Sequence, residues 1–226
     1  MFDQILSIIA PHHCCECGKT GYILCQSCKK HITKQRFQLC VLCGNLLKTG
    51  NLCDNHQQPY DILWCFGYRR GSIAKIIDDY KFRRVQAAAS VLGDLLDSAL
   101  PAKLPPGTII VPIPTTSRNM RRRGYDHMRL IAKHLARKRK VGYSSLLRRR
   151  NNVVQHAARS SRQRKRQAKE FFEVSKPVDQ KKLYVIIDDI FTTGSTLAAA
   201  ADCLRQAGAE NVQAAVIARH GNIINH

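Results

Sequence analysis

The chain has 226 residues, enough for one ordinary domain plus a small appendage. Lys and Arg number 37 against 16 Asp and Glu, a formal net charge of +21, which points to a polyanionic partner, nucleic acid or a membrane surface. No apolar run approaches the roughly 20 residues that a bilayer-spanning helix needs, so membrane insertion is not expected.

The first stretch, Phe2–Ala10, is apolar but short. It lacks a basic leading region and a small-residue cleavage site, so it is not read as a signal peptide. It is expected to be a short helix docked through Phe2, Ile5, Leu6 and Ile9. Eight of the ten cysteines follow between Cys14 and Cys53, mostly as C-x-x-C pairs. Such spacing reads as metal binding in a reducing compartment, so a cytoplasmic location is expected.

Four pairs stand in order: Cys14 with Cys17, Cys25 with Cys28, Cys40 with Cys43, and Cys53 with His56. Two ligands separated by two residues can share one tetrahedral ion on a tight turn, and a second pair completes the shell. Eight ligands predict two zinc sites, one with four thiolates and one with three thiolates and an imidazole. Spacing alone is also compatible with iron–sulfur ligation. Cys15 competes with Cys14, but the two-residue spacing favours Cys14. The pairs can combine sequentially or interleave. With every position filled by protein the module is a structural clip.

A boundary lies near Pro59, giving residues 1–58 as the cysteine-rich module and 59–226 as the main domain. After it strands and helices alternate. Trp64–Tyr68 reads as a strand, Ser72–Tyr80 as a helix capped by Ser72, and Gln86–Leu100 as a helix ended by prolines. Ile109–Ile113 is a buried strand and Tyr125–Lys140 a basic amphipathic helix. Leu183–Ile187 is a second buried strand, Thr196–Gln206 a helix closed by Gly208, and Val212–Ala218 a third strand. Cys65 and Cys203 fall within these elements as buried thiols. This alternation predicts an α/β fold with a doubly wound, mostly parallel sheet.

Charge is concentrated. From Arg118 to Lys169 nineteen Lys and Arg face one acid, Asp126, so this segment carries +18 of the +21. So much charge suits sequence-independent contact with nucleic acid, closure over a smaller anionic ligand, or a solvated basic face. Only Tyr125 and Tyr143 interleave the run, which argues against a long base-stacking platform.

The segment from Val185 to Thr196 combines three features: a β-branched strand, the carboxylate pair Asp188-Asp189, and a turn Thr192-Thr193-Gly194-Ser195-Thr196 entering a helix. Ligands of open parallel sheets bind beyond the carboxyl ends of the strands. Backbone N–H groups and the helix dipole at such a turn favour a phosphate. The two carboxylates suit acceptor duty toward hydroxyls of an attached ribose.

This segment resembles the signature of type I phosphoribosyltransferases, which bind phosphoribosyl pyrophosphate (PRPP). Pro112-Ile113-Pro114, Arg122-Arg123-Gly124-Tyr125-Asp126, Gln155, the Arg162–Arg166 run, Phe172, Tyr80-Lys81-Phe82 and the four metal-ligand pairs extend the likeness to about residues 12–220. Together they resemble the ComF/GntX family and its ComFC-like competence proteins. The chain departs from that family at Asp126-His127, where Asn-Gln is usual, and at Gln167, where Asn is usual.

The resemblance implies a type I phosphoribosyltransferase-like fold with an N-terminal zinc-binding module. Asp188 and Asp189 would hold the ribose hydroxyls, and Thr192, Thr193, Gly194, Ser195 and Thr196 the 5-phosphate. Pro114, Thr115 and Thr116 would approach the pyrophosphate, Arg122 and Arg123 would neutralise it, and magnesium would bridge pyrophosphate and ribose. Arg148, Arg149, Arg150, Arg162, Arg164, Lys165 and Arg166 would contact nucleic acid. Tyr80 and Lys81 are candidates for an activating base, with no acceptor pocket in view. The implied role is DNA uptake and natural transformation, through single-stranded DNA processing or recombination with partner proteins, with phosphoribosyl transfer left open. A metabolic phosphoribosyltransferase and a non-catalytic PRPP sensor are the alternatives.

Overall fold

The computed structural model describes residues 11–34, 39–83, 85–150 and 171–220. The expected helix at Phe2–Ala10, Gln155, and the basic residues Arg162, Arg164, Lys165 and Arg166 lie outside these. In chain order the elements are α1 (Gln26–Lys34), β1 (Leu63–Tyr68), α2 (Gly71–Phe82), α3 (Ala88–Ala99), β2 (Ile109–Pro112), α4 (Ser117–Arg123) and α5 (His127–Arg139). There follow β3 (Gly142–Tyr143), β4 (Leu147–Arg149), β5 (Phe172–Val174), β6 (Leu183–Phe191), α6 (Ser195–Gln206) and β7 (Asn211–Arg219). Five strands form one parallel sheet in the order β1-β7-β6-β2-β3, and β4 and β5 form a separate antiparallel ribbon.

The sheet is doubly wound because β6 is apolar on both faces. Val185 and Ile187 pack into one core with Ile76 of α2, Leu92 of α3 and Ile131 of α5. Tyr184 and Ile186 pack into a second core with Leu197 and Leu204 of α6. Alternation of side chains along a strand assigns odd positions to one layer and even positions to the other. The same parity separates the two carboxylates that follow.

β6 runs four residues beyond the expected end at Ile187, because β7 is long enough to pair with Asp188, Ile190 and Phe191. Ser72 is not the cap of α2. The helix starts at Gly71, with Arg70 at the cap position, and Ser72 is buried inside it. α5 starts at His127 because the Asp126 side chain accepts the Arg129 N–H at 3.2 Å, and Lys140 in the left-handed conformation ends it.

α4 was not expected. Its seven residues hold only one apolar side chain, Met120, so no helical period shows. Its capping signals are present all the same: the Thr116 hydroxyl accepts from Asn119 N, and Gly124, at φ +81, closes the last turn onto Met120 O.

The cysteine segment packs on the outer edge of β1. Asn51 is the hub: its N–H donates to Leu63 O at 2.7 Å, its side-chain oxygen accepts from Cys65 N at 2.8 Å, and its carbonyl accepts from Val41 N. An edge strand is thereby covered. Lys29 of α1 pairs with Asp94 of α3, tying the segment to the body a second time. No described helix is long and apolar enough to cross a membrane.

Candidate functional site

β2 and β6 are neighbours, yet the chain leaves them toward opposite faces, into α4 and α5 on one side and α6 on the other. A crevice opens at the carboxyl ends of strands where the winding reverses, and this is the usual ligand position in open α/β sheets. The turns Pro114–Thr116 and Thr192–Thr196 flank that crevice. Thr192, Thr193 and Ser195 are exposed, and the Thr193 and Ser195 hydroxyls lie 3.0 Å apart. Thr116 caps α4, and the Thr115 hydroxyl donates to Asp126 at 2.8 Å.

Gly194 is the N-cap residue of α6, at φ +77, and a Cβ there would stand 2.8 Å from the Phe191 ring. Both the left-handed backbone and the contact exclude a side chain. Gly194→Ala should cost about 1–3 kcal/mol of unfolding free energy, measured by urea titration.

The carboxylates diverge, as their parity requires. Asp189 is buried against α2 and α5, accepting from Lys81 Nζ at 2.6 Å and from His127 Nε2 at 2.7 Å. Arg123 Nη1 lies 2.8 Å from His127 Nδ1. A guanidinium only donates, so Nδ1 is the acceptor and the imidazole proton sits on Nε2, aimed at Asp189. Burial alone would raise the Asp189 pKa, but the His127 hydrogen bond and the Lys81 charge hold it well below the usual carboxylate range. Tyr80 Oη donates to His127 O at 2.7 Å, and Tyr125 Oη donates to Tyr80 O.

Asp188 faces the other layer and has no such partner pair among the described residues. Burial, then the charge of Asp189, pushes its pKa up to about 7, against partial relief from Lys81 and Arg149. Arg149 Nε donates to Pro114 O at 2.8 Å and its guanidinium lies 5.0 Å from the Phe172 ring centroid. The structure thus brings Asp188, Asp189, Lys81, Arg123, His127 and Arg149 to one crevice.

The remaining cations spread out. Arg122 lies exposed with its guanidinium 5.2 Å from the Phe82 ring centroid, whereas Arg123 is buried. Of the three arginines at the end of β4 and just after it, Arg149 is half-buried, while Arg148 and Arg150 are exposed. His127 and the Lys81–Asp189 pair were not legible as parts of one network, because 62 residues separate His127 from its carboxylate. A His directly after a capping Asp, on the sheet-facing side of a helix start, is the available signal.

The cysteine pairs combine sequentially. Cys14, Cys17, Cys25 and Cys28 form one group, and Cys40, Cys43, Cys53 and His56 the other, each with its ligand atoms within 4.8 Å of one another. Cys17–Cys25 and Cys43–Cys53 sulfur distances are both 3.7 Å. A tetrahedral ion with metal–sulfur bonds of about 2.3 Å sets sulfurs about 3.8 Å apart, so the donor sets fit such an ion. The first halves share one geometry: Gly18 N bonds Cys14 O and Gly44 N bonds Cys40 O, both glycines being left-handed. The second halves differ, one opening α1 and the other forming a short 3-10 turn, Asp54–His56. Against the opposing push of burial, backbone N–H groups draw the Cys14 and Cys40 thiols down to about 6, toward the thiolate that a metal takes.

The second group lies behind the Thr192–Thr196 turn. The Tyr60 hydroxyl sits 3.7 Å from the position a Gly194 Cβ would occupy, and burial followed by the charge of Cys40 raises its pKa. Arg219, at the end of β7 opposite Phe191, donates to Cys40 O at 3.5 Å.

A family model described as the phosphoribosyl transferase domain matches residues 122–222. The DNA utilization protein YhgH of Salmonella typhi is 32% identical over 203 residues, covering 84% of this chain and 87% of that one. Competence protein F of Haemophilus influenzae is 28% identical over 211 residues, covering 87% and 90%. Among solved structures, the adenine phosphoribosyl transferase of Trypanosoma brucei is 17% identical at a TM-score of 0.38, covering 66% of this chain and 74% of that one. With its paired cysteine ligands, its doubly wound parallel sheet and relatives matched over most of their length, the chain belongs to the ComF/GntX family and carries that family's type I phosphoribosyltransferase-like fold.

Proposed function

We propose that the crevice between β2 and β6 holds PRPP with magnesium, and that the protein works on single-stranded DNA in uptake and natural transformation. One observation carries the first half. A glycine turn entering α6 stands beside two carboxylates of opposed environment at the point where the sheet reverses. Thr192–Thr196 would take the 5-phosphate, with Asp188 and Asp189 on the ribose side. Asp189 already accepts from Lys81 and His127, so Asp188 is the carboxylate better placed for a hydroxyl or for magnesium. Pro114–Thr116, Arg123 and Arg149 would face the pyrophosphate end, while Arg122, expected there from the sequence, lies outside on the Phe82 ring. Magnesium would neutralise the pyrophosphate while keeping most of its water.

The second half rests on the relatives' names, DNA utilization protein and competence protein F, and on the +18 charge of residues 118–169. Arg148 and Arg150 would join Arg162, Arg164, Lys165 and Arg166 on the nucleic-acid face. Zinc would fill both cysteine groups in residues 1–58 as structural metal, and a reducing cytoplasm fits ten free cysteines. The match to a phosphoribosyl transferase domain also favours a second reading, a metabolic enzyme acting on a small nucleophile. Pyrophosphate release on adding one defined acceptor would select it.

Calorimetric titration with PRPP and magnesium tests the site. Wild type should bind, and the double variant Asp188→Ala, Asp189→Ala should lose binding while keeping its circular dichroism spectrum. Equal affinity in the two would refute the assignment.

A further inference from the structure

Phe82 ends α2 and is 59% exposed, the most exposed aromatic side chain among the described residues. The residue before it, Lys81, reaches into the crevice to Asp189, while Tyr80 is buried in the core with its hydroxyl on the His127 carbonyl. Phe82 follows Lys81 and lies against Arg122, whose neighbour Arg123 reaches His127, so the ring stands at the crevice rim. On one side is the Arg122 guanidinium, 5.2 Å from the ring centroid. α4 presents Met120 as well, 39% exposed. The ring is also a wall of an open recess of about 440 Å³, where Arg69 pairs with Asp78 and Arg83 with Asp79.

The fold gains little from this ring, because an aromatic face left in water contributes no core burial. An aromatic face with a guanidinium beside it is what an unstacked nucleobase needs, since every base has a π-face and arginine adds both stacking and charge. The surrounding charge selects the same partner. Arg121 and Arg122 of α4 are exposed, and Arg83 has 76% of its side-chain surface exposed.

We infer that Phe82, with Arg122, is a stacking platform for one nucleobase of a single-stranded nucleic acid, set at the mouth of the β2–β6 crevice. The inference rests on the nucleic-acid reading above and adds a base contact to what was otherwise phosphate contact. A strand held there would bring its sugar-phosphate backbone beside the Lys81–Asp189 pair. The base belongs to a strand rather than to a free nucleoside, because Arg121, exposed on α4 beside the ring, offers a site for a neighbouring phosphate.

The test uses the full chain, an oligo(dT) strand of about 12 nucleotides and an abasic strand of equal length, read by fluorescence anisotropy. Phe82→Ala should weaken oligo(dT) binding about 10-fold, the scale of one lost base stack, and leave abasic binding unchanged. Phe82→Trp should restore it. Millimolar thymidine should not compete. Equal affinity of Phe82→Ala and wild type for oligo(dT), or equal losses on both strands, would overturn the platform while leaving the phosphate contacts standing. Competition by thymidine would overturn the strand as the source of the base. Sedimentation of wild type and Phe82→Ala closes the remaining route: a dimer lost only in the variant would mean that the ring binds a second copy, and the platform falls. A wild type that binds neither strand would remove the nucleic-acid reading itself, a result distinct from the others.

Discussion

Asp188→Asn should stabilise the ligand-free protein at alkaline pH while weakening PRPP binding at least about 10-fold, the usual scale for losing one charge-assisted contact. The folded pKa of Asp188, about 7, lies above its ordinary value of 3.8. Between those values the folded chain keeps a proton that the unfolded chain has released. Stability therefore falls as pH rises through that window, and the loss is complete above it. Asparagine removes the titration and with it the loss. The full gap corresponds to about 4 kcal/mol, and solvent access to the partly exposed carboxylate lowers this to about 1–3 kcal/mol. Urea unfolding at pH 8 should show the variant ahead by that amount, and the two proteins should converge as pH approaches 4. A difference independent of pH would show that Asp188 is not held in tension. The opposite signs on stability and binding are the mark of a group placed for a ligand rather than for the fold.

Cys40→Ala should lose one of two metal ions and damage the phosphate turn with it. A cysteine-rich segment has little core, so metal supplies much of its folding free energy, and more than about 3 kcal/mol should go with the second ion. Cys40 also lies near the Thr192–Thr196 turn, since the Tyr60 hydroxyl approaches Gly194 and feels the Cys40 charge, and Arg219, paired with Phe191, donates to the Cys40 carbonyl. Cys14→Ala provides the contrast, because the first group packs on the other core with Leu24, Ile76 and Ile77. Both variants should drop from about two to about one zinc per chain by elemental analysis and lose melting temperature. Only Cys40→Ala should also lose PRPP affinity in calorimetry. Equal PRPP affinity in the two variants would show that the second metal group and the phosphate turn are independent.

The sheet and the glycine turn into α6 were legible because their signals are local. A β-branched run, an acidic pair and a Thr/Gly/Ser turn lie within twelve consecutive residues, and the strand parity follows from period two. The candidate metal ligands were legible from spacing, but their grouping was not. Sequential and interleaved groupings satisfy the same spacing, and only the folded chain brings Cys25 back to Cys14 and Cys53 back to Cys43. The site's other half was hidden for a different reason. Lys81 and His127 meet Asp189 across more than 60 residues, with Arg123 joining through His127, and no periodicity records a contact of that range. Asp188 and Asp189 are identical in sequence yet end with opposite pKa directions, because the strand pleat sends them to different layers. Phe82 reads as one more apolar residue at the end of a helix until its exposure is seen.

The position of β1 also constrains the order in which a growing chain can assemble. Its inner neighbour, β7, pairs Leu63 with Ala214 and Tyr68 with Arg219, so about 150 residues must still be synthesised before that side of the strand is occupied. Its outer side is covered at once by Asn51 and the metal-ligand segment, which leave the ribosome first. A chain that docks this segment early would leave β1 with one open side rather than two until β7 slots between β1 and β6, which would guard against strand-to-strand aggregation.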